Sequence, residues 1–246
     1  MKNIGMLLCL FLFSMQSFAV ESEEKLVFYT QEFAPFSYSE NGRVAGPGVE
    51  IIQKACDNIN VKCVIEVLPW VRAQEEVKRG NADGMFFVGK NKEREEWLDF
   101  SIPIINTEYG FFGNKETPIS YNDIKDLSGK TVGVYGPSNT SLSLDEAVKG
   151  MNRIAVEMTV DDAIEFRKLN AKRVDAVYSN KSVGEAIIKQ LKLTKVEYYG
   201  THKKLQYFIG LHKNTTKTLE ERFFNEISIM SKKGDIDEIL KRYNLR

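Results

Sequence analysis

The side chains able to do chemistry are few. His202 and His212 are the only histidines in 246 residues, so no Ser-His-Asp set for nucleophilic catalysis is visible. Of the three cysteines, Cys9 sits in an apolar N-terminal run, and Cys56 and Cys63 have no second pair. That spacing gives neither a zinc site nor a redox Cys-x-x-Cys. The turn Gly136-Pro137-Ser138-Asn139 runs into a helix. A helix start offers free N–H groups and the positive end of a dipole, which suit an anion. Ser138, Asn139 and Thr140 add polar side chains there, and a plain N-cap by Ser138 or Asn139 is compatible with the same residues. The planar guanidinium of Arg94 matches a carboxylate through two parallel N–H bonds, or pairs on the surface with Glu95 or Glu96. Trp70 follows Pro69 at a loop-to-helix entry. Like Phe33, it offers broad apolar area to a ligand or to the core. Arg72 is either a second cation for a cleft or an exposed helix residue.

The elements that must position these groups begin after residue 19. Lys2, the apolar run 4–15 and then Ser17-Phe18-Ala19 read as a signal peptide cleaved after Ala19. The run is too short to span a bilayer, and no later stretch is long and apolar enough to do so. Export to the periplasm is expected, with Cys56 and Cys63 paired in that oxidising compartment. The remaining chain has 33 basic against 34 acidic side chains. This balance and the lack of a basic stripe exclude a nucleic-acid partner. No cofactor is implied, and no heptads suggest assembly, so a monomer is expected.

Short β-rich runs alternate with helical ones, the pattern of an α/β protein. Strands are predicted at 26–29, 61–67, 83–88, 131–135, 174–178, 196–199 and 208–211. Val49, Ile52, Cys56 and Ile59 recur at helical spacing, residues 70–78 form a helix stopped by Gly80, and two final amphipathic helices break at Gly234. Thr159 with Asp162, and Ser182 with Glu185, have capping-box spacing. Gly80-Asn81-Ala82-Asp83-Gly84 and Lys172-Arg173-Val174-Asp175-Ala176 share a rhythm that fits two like lobes.

Taken together, five features resemble the periplasmic solute-binding proteins of polar amino-acid ABC transporters, family 3. They are Phe33-Ala34-Pro35-Phe36-Ser37 after the first strand; the spacing of Cys56 and Cys63; Gly80 to Asp83 followed by Lys92-Glu93-Arg94 and Asp99-Phe100-Ser101 with Pro103; Leu127-Ser128-Gly129-Lys130-Thr131-Val132-Gly133-Val134; and Val174-Asp175-Ala176-Val177 with a final helix ending in Tyr243. The resemblance implies an α/β, two-lobed periplasmic binding protein fold, with two α/β lobes joined by two hinge strands. Lobe 1 would hold residues 20–110 and 211–246, and lobe 2 residues 111–210, with hinges near 111–113 and 208–210. It implies a small carboxylate-bearing solute, an amino acid or similar, delivered to an ABC permease in the inner membrane. Arg94 would grip the carboxylate, Trp70 and Phe33 would sandwich the rest, and the turn at Ser138, Asn139 and Thr140 would close from lobe 2.

Two positions depart from that pattern. The aspartate that holds the ligand's ammonium in amino-acid binders is here Asn180, followed by Lys181. The glycine-x-threonine strip before the arginine is here Phe86-Phe87-Val88-Gly89-Lys90, one residue shorter. A neutral amide beside a cation suits an ammonium poorly. The ligand is therefore expected to carry anionic or neutral polar groups, or to find its acid elsewhere, Glu32 being the nearest candidate. Two other readings have distinct signatures. An enzyme on the same fold, such as a cyclohexadienyl dehydratase, needs a placed acid or base, for which only Glu32 and Glu185 come forward. A sensing module without transport would lack a permease.

Overall fold

Each element forms where apolar periodicity and a stop signal coincide. The structure, a computed structural model, describes residues 24–151 and 153–246; the expected signal peptide lies outside them. In chain order the elements are β1 (Lys25–Thr30), β2 (Tyr38–Glu40), β3 (Arg43–Ala45), α1 (Pro47–Asn58), β4 (Lys62–Val67), α2 (Trp70–Lys78), β5 (Gly84–Gly89), α3 (Lys92–Trp97), β6 (Leu98–Phe100) and β7 (Ile105–Asn114). A 3-10 turn (Ile124–Leu127) then leads to β8 (Thr131–Tyr135), α4 (Asn139–Val148), β9 (Ala155–Thr159), α5 (Asp162–Asn170), β10 (Ala176–Asn180), α6 (Lys181–Leu191), β11 (Val196–His212), α7 (Lys217–Lys233) and α8 (Asp235–Arg242). Gly234, at φ 84°, ends α7 in the left-handed conformation that separates the last two helices.

One sheet runs through the molecule in the order β4-β1-β5-β11-β7-β10-β8-β9. Its two ends are alike. β4 and β5 flank β1 in parallel, and β9 and β10 flank β8 in parallel. The repeated aspartates have one role in both halves. Asp83 accepts from the Val27 N–H and Asp175 from the Thr131 N–H, each at 2.8 Å, tying one strand's start to its neighbour. Each half has its own packing. Phe28, Phe86 and Phe223 meet on one side, and Phe112, Phe166 and Tyr198 on the other. A separate cluster under α2 gathers Trp70, Ala73, Val77, Met85, Val88, Trp97 and Leu98.

The centre of the sheet differs from the sequence reading. The strands expected at 196–199 and 208–211 are one strand, β11, of 17 residues with two register shifts. Its polar middle, Lys203-Lys204-Leu205-Gln206, pairs with Tyr109 back to Asn106 of β7. β7 joins β10 only through 109–113, and β11 joins β5 only through 207–211. Between those zones the two strands pair only with each other. They carry little apolar alternation there: of residues 106–108 and 204–206 only Leu205 is apolar, and it packs, half-buried, against the core.

Two helix starts also differ. Asp161, not Thr159, caps α5 by accepting from the Ala163 N–H at 2.7 Å. Asn180, not Ser182, caps α6 by accepting from Val183. In both cases the helix starts one or two residues before the hydrophobic period becomes readable.

Cys56 of α1 and Cys63 of β4 are disulfide-bonded, with Cα atoms 6.1 Å apart. Replacing both by serine is expected to cost about 2–3 kcal/mol, the entropy of a short closed loop. Chemical denaturation of the oxidised protein and the double variant measures it. Equal stability would show that the crosslink constrains nothing that the helix–strand packing does not already hold.

Candidate ligand-binding site

The short helix α3 exists to aim one side chain. Asn91 caps it, accepting from the Arg94 N–H at 2.9 Å, and this turns the Arg94 side chain inward. Arg94 is 3% exposed. Nη1 donates to the Gly89 carbonyl at 2.8 Å and Nη2 to Gln74 Oε1 at 2.7 Å. Its guanidinium lies 5.2 Å from the Trp70 ring, while Nε has no partner. Among the described residues no carboxylate pairs with it; Glu95 pairs instead with Lys90. Burial lowers the pKa of Arg94 from its usual value, yet an arginine remains charged at any physiological pH. The site therefore holds a desolvated cation with neutral acceptors and a spare donor.

The opposite side of the cleft is built by α4, β7, β10 and β11. Asn139 opens α4 and reaches across. Asn91 Nδ2 donates to its Oδ1 at 3.1 Å, and its Nδ2 donates to Tyr109 Oη at 3.4 Å. Gly89 permits this approach, since a Cβ there would lie 2.4 Å from Asn139 Nδ2. Ser138 is committed to its helix. Its hydroxyl donates to the Tyr135 carbonyl and accepts from the N–H groups of Thr140 and Ser141. Thr140 is buried behind the turn. Of this trio, Asn139 alone makes contact across the cleft.

Asn180 is equally occupied. It donates to Thr107 Oγ1 at 2.7 Å and to Tyr207 Oη at 3.2 Å, and its carbonyl caps α6. Lys181 turns to Glu108, 3.5 Å away. Two buried tyrosines, Tyr109 and Tyr207, complete this layer with hydroxyls 3.5 Å apart. The sequence reading missed both tyrosines because it expected no strand over residues 105–114 and began its last strand at 208, and it missed Gln74 because that residue lies inside a helix already accounted for by periodicity.

Two cavities open on either side of the buried layer. One, of about 1070 Å³, is lined by Gln31, Glu32, Phe33, Trp70, Tyr135 and Asp162 among others. Tyr135 Oη donates across it to Gln31 Oε1 at 2.7 Å. The other, of about 1000 Å³, is lined by Lys90, Asn91, Asn139, Lys181 and Lys203 among others. Arg94, Tyr109, Tyr207 and Asn180 line neither cavity. They touch residues that do, Trp70 on one side and Asn91 and Asn139 on the other.

Trp70 has both of the roles that the sequence left open. It is 7% exposed within the cluster under α2, and it forms part of the cavity wall and the bed for Arg94. Phe33 packs on Phe36 and Tyr207 at ring distances of 5.2 and 5.9 Å while facing the same cavity. Arg72 is exposed on α2 and lines neither cavity. Glu32, the sequence's candidate acid, is spent on the β2 hairpin, where its carboxylate accepts from the N–H and hydroxyl of Ser39. Asp162 was read only as a capping partner. It faces the larger cavity with one long polar contact, from Ser179 Oγ at 3.4 Å.

Known proteins share this fold. A probable amino-acid-binding protein of Bacillus subtilis, YxeM, is 27% identical over 80% of this chain and 82% of its own length. An ancestral arginine-binding protein, solved bound to arginine, superposes with a TM-score of 0.79 at 24% identity, over 89% of this chain and 97% of that one. A histidine kinase sensor domain with similarity to periplasmic binding proteins superposes at 0.81 with 20% identity, over 89% and 95%. These likenesses give the two-lobed fold, and a family model matched along residues 26–246 gives the family: this chain belongs to the bacterial extracellular solute-binding proteins, family 3.

Proposed function

We propose that this protein captures a small carboxylate-bearing solute, an amino acid or close relative, between its lobes outside the cytoplasm and hands it to an ABC permease, without catalysing a reaction. The observation that carries the reading is Arg94. A buried charge with no countercharge is costly, and a folded protein keeps one where a ligand supplies the missing partner. A carboxylate would take the spare donors of the guanidinium, lie against Trp70 and Phe33, and meet Asn139 from the other lobe. The relatives' names, which state amino-acid and arginine binding, support the same class of solute. An N-terminal signal peptide and a monomeric state belong to this reading.

Entry to Arg94 requires the lobes to part. The hinge is assigned to the span where β7 and β11 pair only with each other, residues 106–108 and 204–206. The sequence reading put it a few residues away, near 111–113 and 208–210. With the hinge there, the lobes would be residues 20–105 with 207–246, and residues 109–203, a few residues from the sequence reading's 20–110 with 211–246 and 111–210. Two strands without flanking partners can absorb small backbone changes while each lobe moves as a body.

Two outcomes are expected. Arg94→Met, close in volume, removes the buried charge. It is expected to change the stability of the solute-free protein little, because relief of the desolvated charge offsets the lost hydrogen bonds to Gly89 and Gln74. It is also expected to weaken carboxylate binding by about 2–5 kcal/mol. A thermal-shift panel of amino acids and small organic acids, followed by calorimetry on the best binder, reads both quantities. Unchanged affinity with a large loss of stability would make Arg94 a structural residue. Second, small-angle scattering is expected to show a smaller radius of gyration at saturating solute than without it; equal radii with a confirmed tight binder would contradict a hinge.

A further inference from the structure

We propose that Asp162 holds the cationic end of the solute, so that the cleft selects a zwitterion with its carboxylate on Arg94 and its ammonium on Asp162. The proposal rests on the reading of Arg94 given above and adds a second pole to it.

The wall of the larger cavity is one-sided in charge. Glu32, Asp161 and Asp162 line it, and no lysine or arginine does. Two of these acids are committed. Glu32 accepts from Ser39 in the hairpin, and Asp161 caps α5. Asp162, the first residue of α5, pairs with no cation among the described residues and receives only the long contact from Ser179. Across the cleft, Arg94 is a buried cation without an anion. The two unmatched charges come from opposite lobes, and both interact electrostatically with the buried Tyr207 hydroxyl. Asn180 cannot serve in place of Asp162, because its carbonyl caps α6 and its amide donates to Thr107 and Tyr207. An ammonium bound beside Asn180 would meet Lys181 as well, whereas one at Asp162 meets a carboxylate in a cavity that Trp70 and Tyr135 also line.

Burial pushes the Asp162 carboxyl up to about 7, with Asp161 and Glu165 of its own helix adding to the rise and the Ser179 hydroxyl opposing it. The other titratable groups lining the cavity are the phenols of Tyr38 and Tyr135, both raised by burial and nearby acids and so neutral, and the carboxyls of Glu32 and Asp161. Two consequences follow in sign. The folded carboxyl binds its proton more tightly than the unfolded one, whose pKa is about 3.9. Stability of the solute-free protein therefore falls as pH rises from about 4 through about 7. Binding of an ammonium needs the ionised carboxylate, so affinity rises with pH through the same window.

The test titrates parent, Asp162→Asn and Asp162→Glu with L-cystine, the standard L-amino acids and their N-acetyl derivatives, which keep the carboxylate and lose the ammonium. Calorimetry is run between pH 5 and pH 8. The parent is expected to bind at least one free amino acid, with affinity falling up to about tenfold per pH unit below 7. Asp162→Asn is expected to bind that amino acid at least about tenfold more weakly, without the pH dependence and with no further loss on N-acetylation; Asp162→Glu is expected to restore part of the affinity. Solute-free Asp162→Asn is also expected to lack the decline in stability toward neutral pH. Binding within about threefold in Asp162→Asn would overturn the proposal and leave the reading of Arg94 standing. So would ammonium-free carboxylates that bind the parent as tightly as amino acids. Failure of every carboxylate to bind the parent would overturn both.

Discussion

The structure is organised around a single desolvated charge. Removing a guanidinium from water costs far more than its hydrogen bonds to a carbonyl and an amide return. Arg94 nevertheless lies buried, held by Gly89 and Gln74 and stacked on Trp70. Each support has its own cause in the sequence. Asn91 caps α3 so that the side chain points inward, Gly89 lacks a side chain so that Asn139 can approach, and α2 presents Gln74 and Trp70 one turn apart. Folding alone does not call for this arrangement. The proposed site, which keeps a charge ready for a partner of opposite sign, does.

The two central strands connect that site to motion. β7 and β11 join the two halves of the sheet, yet each is held by other strands at only one end, β7 by β10 through 109–113 and β11 by β5 and β6 through 207–212. Tyr109 and Tyr207, at the edges of the free span, are the buried contacts of Asn139, Asn180 and Phe33. Separation of the lobes would thus disturb the layer that covers Arg94. The bonds that cross the cleft, from Asn91 to Asn139 and from Tyr135 to Gln31, join neutral groups. Such bonds contribute little net stability because water can replace them, which suits the proposed parting of the lobes.

Much of this was legible in the sequence wherever local and global signals agree. α2 was readable to the residue because Pro69 starts it, Gly80 follows it, and Trp70, Ala73 and Val77 share one face. β8 was equally clear, as was the break at Gly234. The middle of β11 was not, because Leu205 is the one apolar residue in Lys203–Gln206 and a single apolar position gives no alternation. The site was half legible. Arg94, Trp70 and Asn139 came from motif positions, while Ser138 and Asn180 proved to be spent on helix caps. Asp162 escaped notice because an acid in a helix's first turn is ordinary; it and Asp161 line the same cavity, and only the folded chain shows that Asp161 is spent on the cap of α5.

The central claim is that the unsatisfied edge of Arg94 receives the solute's carboxylate. The most direct measurement is nuclear magnetic resonance of the arginine Nε–H groups, with Arg94→Met used to assign the Arg94 signal. Its Nε has no hydrogen-bond partner in the solute-free fold. Addition of a bound carboxylate solute is predicted to move that resonance as a charge-assisted hydrogen bond forms and to slow its exchange with solvent. A solute that binds tightly while leaving the Arg94 resonance and its exchange unchanged would contradict the account.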